Sequence, residues 1–172
     1  MRKFKLIIGG ISIIGITLKA FHIPGGGAML SIFLGILAMF YYLLSFALFN
    51  NIKLKKIFEK SAYSETNAKR IIGSIGIGIG LSTLIMGGLF KIQLFPGAKP
   101  QLFAGLLVCS TAFAISIIFY LKNKSMFFKG ILTRLIIFIP MGFALYFIPS
   151  TSLVNYYYQD YHEYASVKSS IL

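Results

Sequence analysis

The sequence predicts an all-α membrane protein with five transmembrane helices, arranged as two repeated antiparallel hairpins plus a fifth helix. Three observations predict it. Of 172 residues, 57% are hydrophobic and 12% charged, with a mean hydropathy of +0.82, whereas a soluble domain carries about 25% charged residues; a water-soluble fold is excluded. Uncharged runs approaching the ~20 residues needed to cross a bilayer recur along the chain. Finally, the chain repeats itself at an offset of 72 residues.

The first apolar run, Leu6–Leu18, is short and ends at Lys19; it reaches spanning length if Phe4 and Phe21 are included. Preceded by Arg2, Lys3 and Lys5, it also has the look of a signal peptide. The stretch Leu18-Lys19-Ala20-Phe21 offers no small-x-small cleavage site, so it is read as a retained first span. A second span covers about Ala28–Phe49, a third Ile71–Phe90, a fourth Pro100–Leu121 and a fifth Ile131–Ile148. Arg134 is expected to snorkel at the inner end of the fifth, and Pro140, midway along it, to kink the helix or open a carbonyl. This divides the chain into a first hairpin (1–52), a basic cytoplasmic loop (53–70), a second hairpin (71–121), a short basic loop with the fifth helix (122–149), and a Tyr-rich tail (150–172).

Seventeen Lys/Arg stand against four acids, Glu59, Glu65, Asp160 and Glu163, for a net charge of +13. Membrane orientation accounts for this without nucleic acid. With the N-terminus inside, thirteen of the seventeen lie on the cytoplasmic side, leaving Lys19, Lys91, Lys99 and Lys168 outside, the bias expected of cytoplasmic loops. The expected location is thus a bacterial cytoplasmic (inner) membrane, with membrane lipids as the immediate partners. The basic loop Lys53–Lys60 fixes orientation and can also attract anionic headgroups.

In the repeat, Leu18-Lys19-Ala20-Phe21-His22-Ile23-Pro24-Gly25 aligns with Phe90-Lys91-Ile92-Gln93-Leu94-Phe95-Pro96-Gly97. The same offset pairs Gly15 with Gly87 and Leu30 with Leu102. Proline cannot continue a helix, and the glycine after it supports a tight reversal. Pro24, Gly25, Pro96 and Gly97 are therefore the turn-forming residues of two hairpins in the same orientation, related by an axis along the membrane normal. Lys19 and Lys91 each precede the proline by five residues. They either snorkel to headgroups or point between helices as polar contacts, together with His22 and Gln93; charge at membrane depth often marks function.

The first of these strings resembles the hairpin of GldL-type gliding-motility proteins, whose signature runs approximately L-F-K-I-x-H-W-P-G between two membrane helices. Lys19, His22, Pro24 and Gly25 match it in one copy, and Phe90, Lys91, Ile92, Pro96 and Gly97 in the other, over about Gly9–Phe40 and Gly80–Ala112. The resemblance implies a hairpin that packs around a partner's helix in a secretion or gliding motor. This sequence departs from the family in lacking the glutamate of the second helix: Ala28–Phe49 and Pro100–Leu121 hold no acid, the nearest polar groups being Ser31 and Ser45 in one and Cys109, Ser110 and Thr111 in the other. The long cytoplasmic tail is missing too, so proton conduction is not implied.

The remaining patterns carry less chemistry. No Asp or Glu falls in any span, which argues against a carboxylate proton relay. Asp160, His162 and Glu163 make only a weak metal pattern, so neither a metal nor a cofactor is expected. The third span holds Gly76 and Gly80 in G-x-x-x-G spacing, and Ser74 and Gly78 as a second small pair, suited to close helix packing within the chain or between copies. The tyrosines from Tyr156 to Tyr164 favour the membrane interface or an outside contact surface. Cys109 is the sole cysteine, and no serine–histidine–acid or paired-carboxylate arrangement can be assembled in the spans. The reading is a non-enzymatic subunit that packs as a homo-oligomer or against a partner membrane protein. A small permease or channel for an uncharged or anionic solute is the alternative, with the two lysines lining its outer vestibule.

Overall fold

A computed structural model describes residues 2–64, 66–159 and 167–168. These form α1 (Arg2–Ala20), α2 (Gly26–Phe49), α3 (Ala68–Gln93), α4 (Ala98–Asn123), α5 (Met126–Phe147) and a short α6 (Ser150–Tyr157). Two 3-10 turns, Leu54–Lys56 and Lys60–Tyr63, lie between α2 and α3. Helices α2 to α5 are each long and apolar enough to cross a membrane, and α1 adds a shorter apolar stretch, Gly10–Ala20. The protein is an all-α, multi-pass membrane protein.

The short α1–α2, α3–α4 and α4–α5 connections make those neighbours antiparallel, and the longer stretch 50–67 returns α3 along α2. One end of the bundle therefore carries the two Pro-Gly turns and α6 (the turn end). The opposite end carries Lys53–Lys60 and the α4–α5 connection (the basic end). Helix α3 is central, packed against α2, α4 and part of α5, whereas α1 packs chiefly on α2. The core runs through Leu37, Tyr41 and Leu48 of α2, Leu81, Leu84 and Ile85 of α3, and Leu102, Leu106 and Cys109 of α4, closed by Ile131 and Leu135 of α5. Lipid gives apolar side chains no incentive to leave it, so contact must come from closeness of fit. Glycine supplies it here. A Cβ at Gly105 would stand 2.6 Å from the Leu84 amide nitrogen, and one at Gly78 would be 2.6 Å from the Tyr41 carbonyl oxygen.

The repeat is legible in the hydrogen bonds. At the end of α1, His22 N–H donates to Lys19 O (3.0 Å) and Ile23 N–H to Leu18 O (2.9 Å). Seventy-two residues on, Leu94 N–H donates to Lys91 O (3.3 Å) and Phe95 N–H to Phe90 O (2.8 Å). Both are Schellman endings, and they hold His22 and Leu94 in the left-handed region, each at φ 58°. That conformation costs a side-chain-bearing residue about 1 kcal/mol. Gly25 (φ 87°) and Gly97 (φ 82°) then reverse the chain into α2 and α4. Gly15 faces the Leu30 amide and Gly87 the Leu102 amide, so the paired positions of the sequence also make the paired contacts.

At the basic end, Asn67 caps α3 by accepting from Arg70 N–H (2.9 Å), and Ser125 caps α5 by accepting from Phe127 N–H (3.4 Å). Helix α5 continues through Pro140. Arg134 donates to Gly130 O at 2.8 Å, and its guanidinium lies 4.5 Å from the Phe49 ring centre. It thus bridges α5 to α2 rather than extending alone toward water.

Candidate functional site

The turn end gathers the polar residues that the sequence singles out. Lys19, in the last turn of α1, directs its amine at Gln93, the last residue of α3, and donates to Gln93 Oε1. Gln93 Nε2 donates to Gly27 O and to Ser31 Oγ (2.7 Å), and Ser31 Oγ donates to Gly27 O (3.0 Å). One amide side chain thus ties α3 to both helices of the first hairpin. Both faces of an amide are needed for this, since Gln accepts through oxygen and donates through nitrogen. Its counterpart at the offset of 72 is Phe21, which is 73% exposed.

Lys91 takes a different course. It is 3% exposed, and its amine donates to Ser150 Oγ (2.8 Å), the first residue of α6. The lysine of the second copy therefore points between helices and anchors the segment that follows α5. Helix α6 then crosses the turn end. Val154 is fully buried against Leu94, with Leu153, Tyr157 and Tyr158 alongside. The Tyr157 ring lies 4.9 Å from the Lys19 amine, a cation–π distance. Burial, with Tyr156 beside it, pushes the Tyr157 hydroxyl above its ordinary pKa, so the ring stays neutral there. Tyr156 OH donates to Ala20 O (2.8 Å). His22 is exposed and packs its ring against Tyr156 and Tyr157, at centroid distances of 5.4 and 5.9 Å.

The structure therefore brings Lys19, Gln93 and His22 into one cluster and ties Lys91 to α6, which packs on that cluster. Pro24, Gly25, Pro96 and Gly97 occupy the two turns. The contributions of Ser31, Ser150, Tyr156 and Tyr157 are not readable from spacing, because each is made by a segment remote in the chain. Gly76 and Gly80 divide their roles. A Cβ at Gly80 would be 2.6 Å from Val108 Cγ1 of α4, while Gly76 is exposed with open space before it. Ser74 and Gly78 face α2 instead, where Ser74 Oγ accepts from Asn50 Nδ2 at 3.1 Å. Asp160, His162 and Glu163 lie outside the described residues.

Fold and cluster together define a class: a polytopic helical membrane protein built on a doubled hairpin whose polar groups knit its own helices together at one end. No family model, curated protein or solved structure matches the chain.

Proposed function

We propose that the protein is a non-enzymatic membrane subunit of five spans, with α1 as the first, that packs against a second copy or a partner's transmembrane helix. The observation that carries this reading is how the polar side chains are used. Lys19, Gln93 and Lys91 bond within the chain, so what the spans present outward is mainly apolar, broken by a few hydroxyls such as Tyr42 and Thr111. One part of that surface is suited to a helix. In its half nearer the basic end, α3 exposes Gly73 and Gly76 between Ile72, Ile75 and Ile79, and small residues on such a face let helix backbones approach. Internal bonding of both amines also favours a subunit over a permease with lysines lining an open vestibule. The GldL-type resemblance of the turns fits a helix-binding hairpin in a secretion or gliding-related complex. The Lys/Arg bias supports a bacterial inner membrane with the N-terminus and the basic end cytoplasmic.

Affinity purification from native membranes with mass spectrometry tests this, comparing the natural protein with Gly76→Leu and with a Lys19→Ala, Lys91→Ala double variant. A stoichiometric partner or second copy that is lost in Gly76→Leu is the expected result. Recovery of the protein alone in every form would remove the subunit reading, and solute flux in liposomes would then decide for the permease.

A further inference from the structure

The connection from α2 to α3 is braced by its own hydrogen bonds. Ile52 is buried and its N–H donates to Ala47 O (2.9 Å), which ties the start of the connection to the end of α2. Lys56 N–H donates to Lys53 O (2.8 Å), Glu59 N–H to Lys56 O (3.1 Å) and Ala62 N–H to Glu59 O (3.0 Å). The Tyr63 hydroxyl donates to Ile57 O (2.7 Å), closing the tip onto its returning strand of chain, and Thr66 Oγ1 donates to Tyr63 O (2.9 Å). This frame holds Phe58 outward. At 99% it is the most exposed large apolar residue among those described, and Leu54, four residues earlier, is exposed too. Lys53, Lys55, Lys56 and Lys60 are all exposed around them in the sequence. Lys56 pairs with Glu59 at 3.2 Å, the one acid between Asn50 and Ser64. Lys53 and Lys55 have no ion-pair partner among the described residues.

Orientation in the membrane needs only positive charge near the span ends. It does not need a phenylalanine braced into water. An aromatic ring gains free energy by leaving water. The nearest apolar medium is the bilayer itself, because both ends of the connection run into helices long and apolar enough to cross it. Aromatic rings interleaved with lysines match the headgroup region of an anionic bilayer, where the ring sits beneath the headgroups and the amines meet the phosphates. We propose that the loop Lys53–Tyr63 is an anchor that inserts Phe58 into the surface of an anionic bilayer beside its own spans, with Lys53 and Lys55 binding lipid phosphates. The anchor requires a membrane protein and does not require that the chain be a subunit of a complex.

The sequence contains no tryptophan, so Phe58→Trp supplies a unique fluorophore at a position with no packing to lose. The full-length variant is placed in nanodiscs of phosphatidylcholine alone and of phosphatidylcholine with phosphatidylglycerol, each with and without lipid brominated near the top of its acyl chains. The expected result is an emission that shifts to the blue and a bromine quenching that grows with the phosphatidylglycerol fraction. Adding Lys53→Gln or Lys55→Gln should lower the ratio of inserted to withdrawn loop about fivefold each, and raised salt should act in the same direction. The proposal is overturned if the indole stays unquenched in every disc; a blue-shifted but unquenched indole would mean that protein, not lipid, covers the site. It is equally overturned if quenching is the same with and without phosphatidylglycerol, or if the two lysine changes leave it unaltered.

Discussion

The hairpins α1–α2 and α3–α4 share their turn hydrogen bonds, their two left-handed positions and their Gly–Leu contacts, yet they occupy different environments. The first stands at the edge of the bundle, with α1 resting on α2. The second is the centre, enclosed by α2, α5 and, at its turn, α6. Equivalent residues have diverged accordingly. His22 is exposed while Leu94 is 2% exposed, and Phe21 is exposed while Gln93 joins three helices. Local sequence fixes the form of each turn, and position in the bundle decides what each residue is worth.

The sharpest way to break this comparison is to overfill both copies at the same point. A Cβ at Gly87 would be 2.8 Å from the Leu102 amide, against 3.1 Å for Gly15 and Leu30. Gly87→Leu is expected to cost about 3 kcal/mol or more and Gly15→Leu about 1–2 kcal/mol, read from thermal unfolding in detergent. Equal losses would mean that α1 is as constrained as α3. A smaller effect is expected at the junction. Gln93→Ala removes the bonds to Lys19, Gly27 and Ser31 and should cost about 2 kcal/mol, while Phe21→Ala should stay within about 0.5 kcal/mol.

The left-handed positions sharpen the contrast further, since here the sign should differ. His22→Gly relieves backbone strain and forfeits only ring contacts, so stability should rise by about 0.5 kcal/mol. Leu94→Gly gains the same relief but gives up a buried side chain, for a net loss of about 1–2 kcal/mol. The smallest effect is expected at α6. Tyr156→Phe deletes one hydrogen bond to the Ala20 carbonyl, worth about 0.5–1 kcal/mol, and should quicken proteolytic cleavage near the tail before it lowers the unfolding temperature.

Much of the fold was legible in the sequence. The runs Ala28–Phe49, Ile71–Phe90, Pro100–Leu121 and Ile131–Ile148 lie within or close to α2, α3, α4 and α5. The paired Gly15, Leu30, Gly87 and Leu102 were visible from self-alignment, because a repeat preserves the positions where backbones meet. The use of the polar residues was less legible. Lys19 and Lys91 look equivalent, but one reaches Gln93 and the other Ser150. Those contacts span 74 and 59 residues, and no local spacing encodes them. The closure of α6 over the turn end was hidden for a related reason. Its tyrosines suit a membrane interface as well as a protein surface, and only the neighbouring Leu94 and Lys19 decide between them.

The central claim is that two hairpins of like orientation share one end of the bundle, as the proposed five crossings of the membrane require. Single cysteines placed by Phe21→Cys, Phe95→Cys, Lys168→Cys and Lys55→Cys in a Cys109→Ser background, labelled in intact cells with a membrane-impermeant maleimide, test it most directly. The account predicts that the first three label from the same side and Lys55→Cys only after the membrane is opened. Labelling of Phe21→Cys and Phe95→Cys from opposite sides would contradict it.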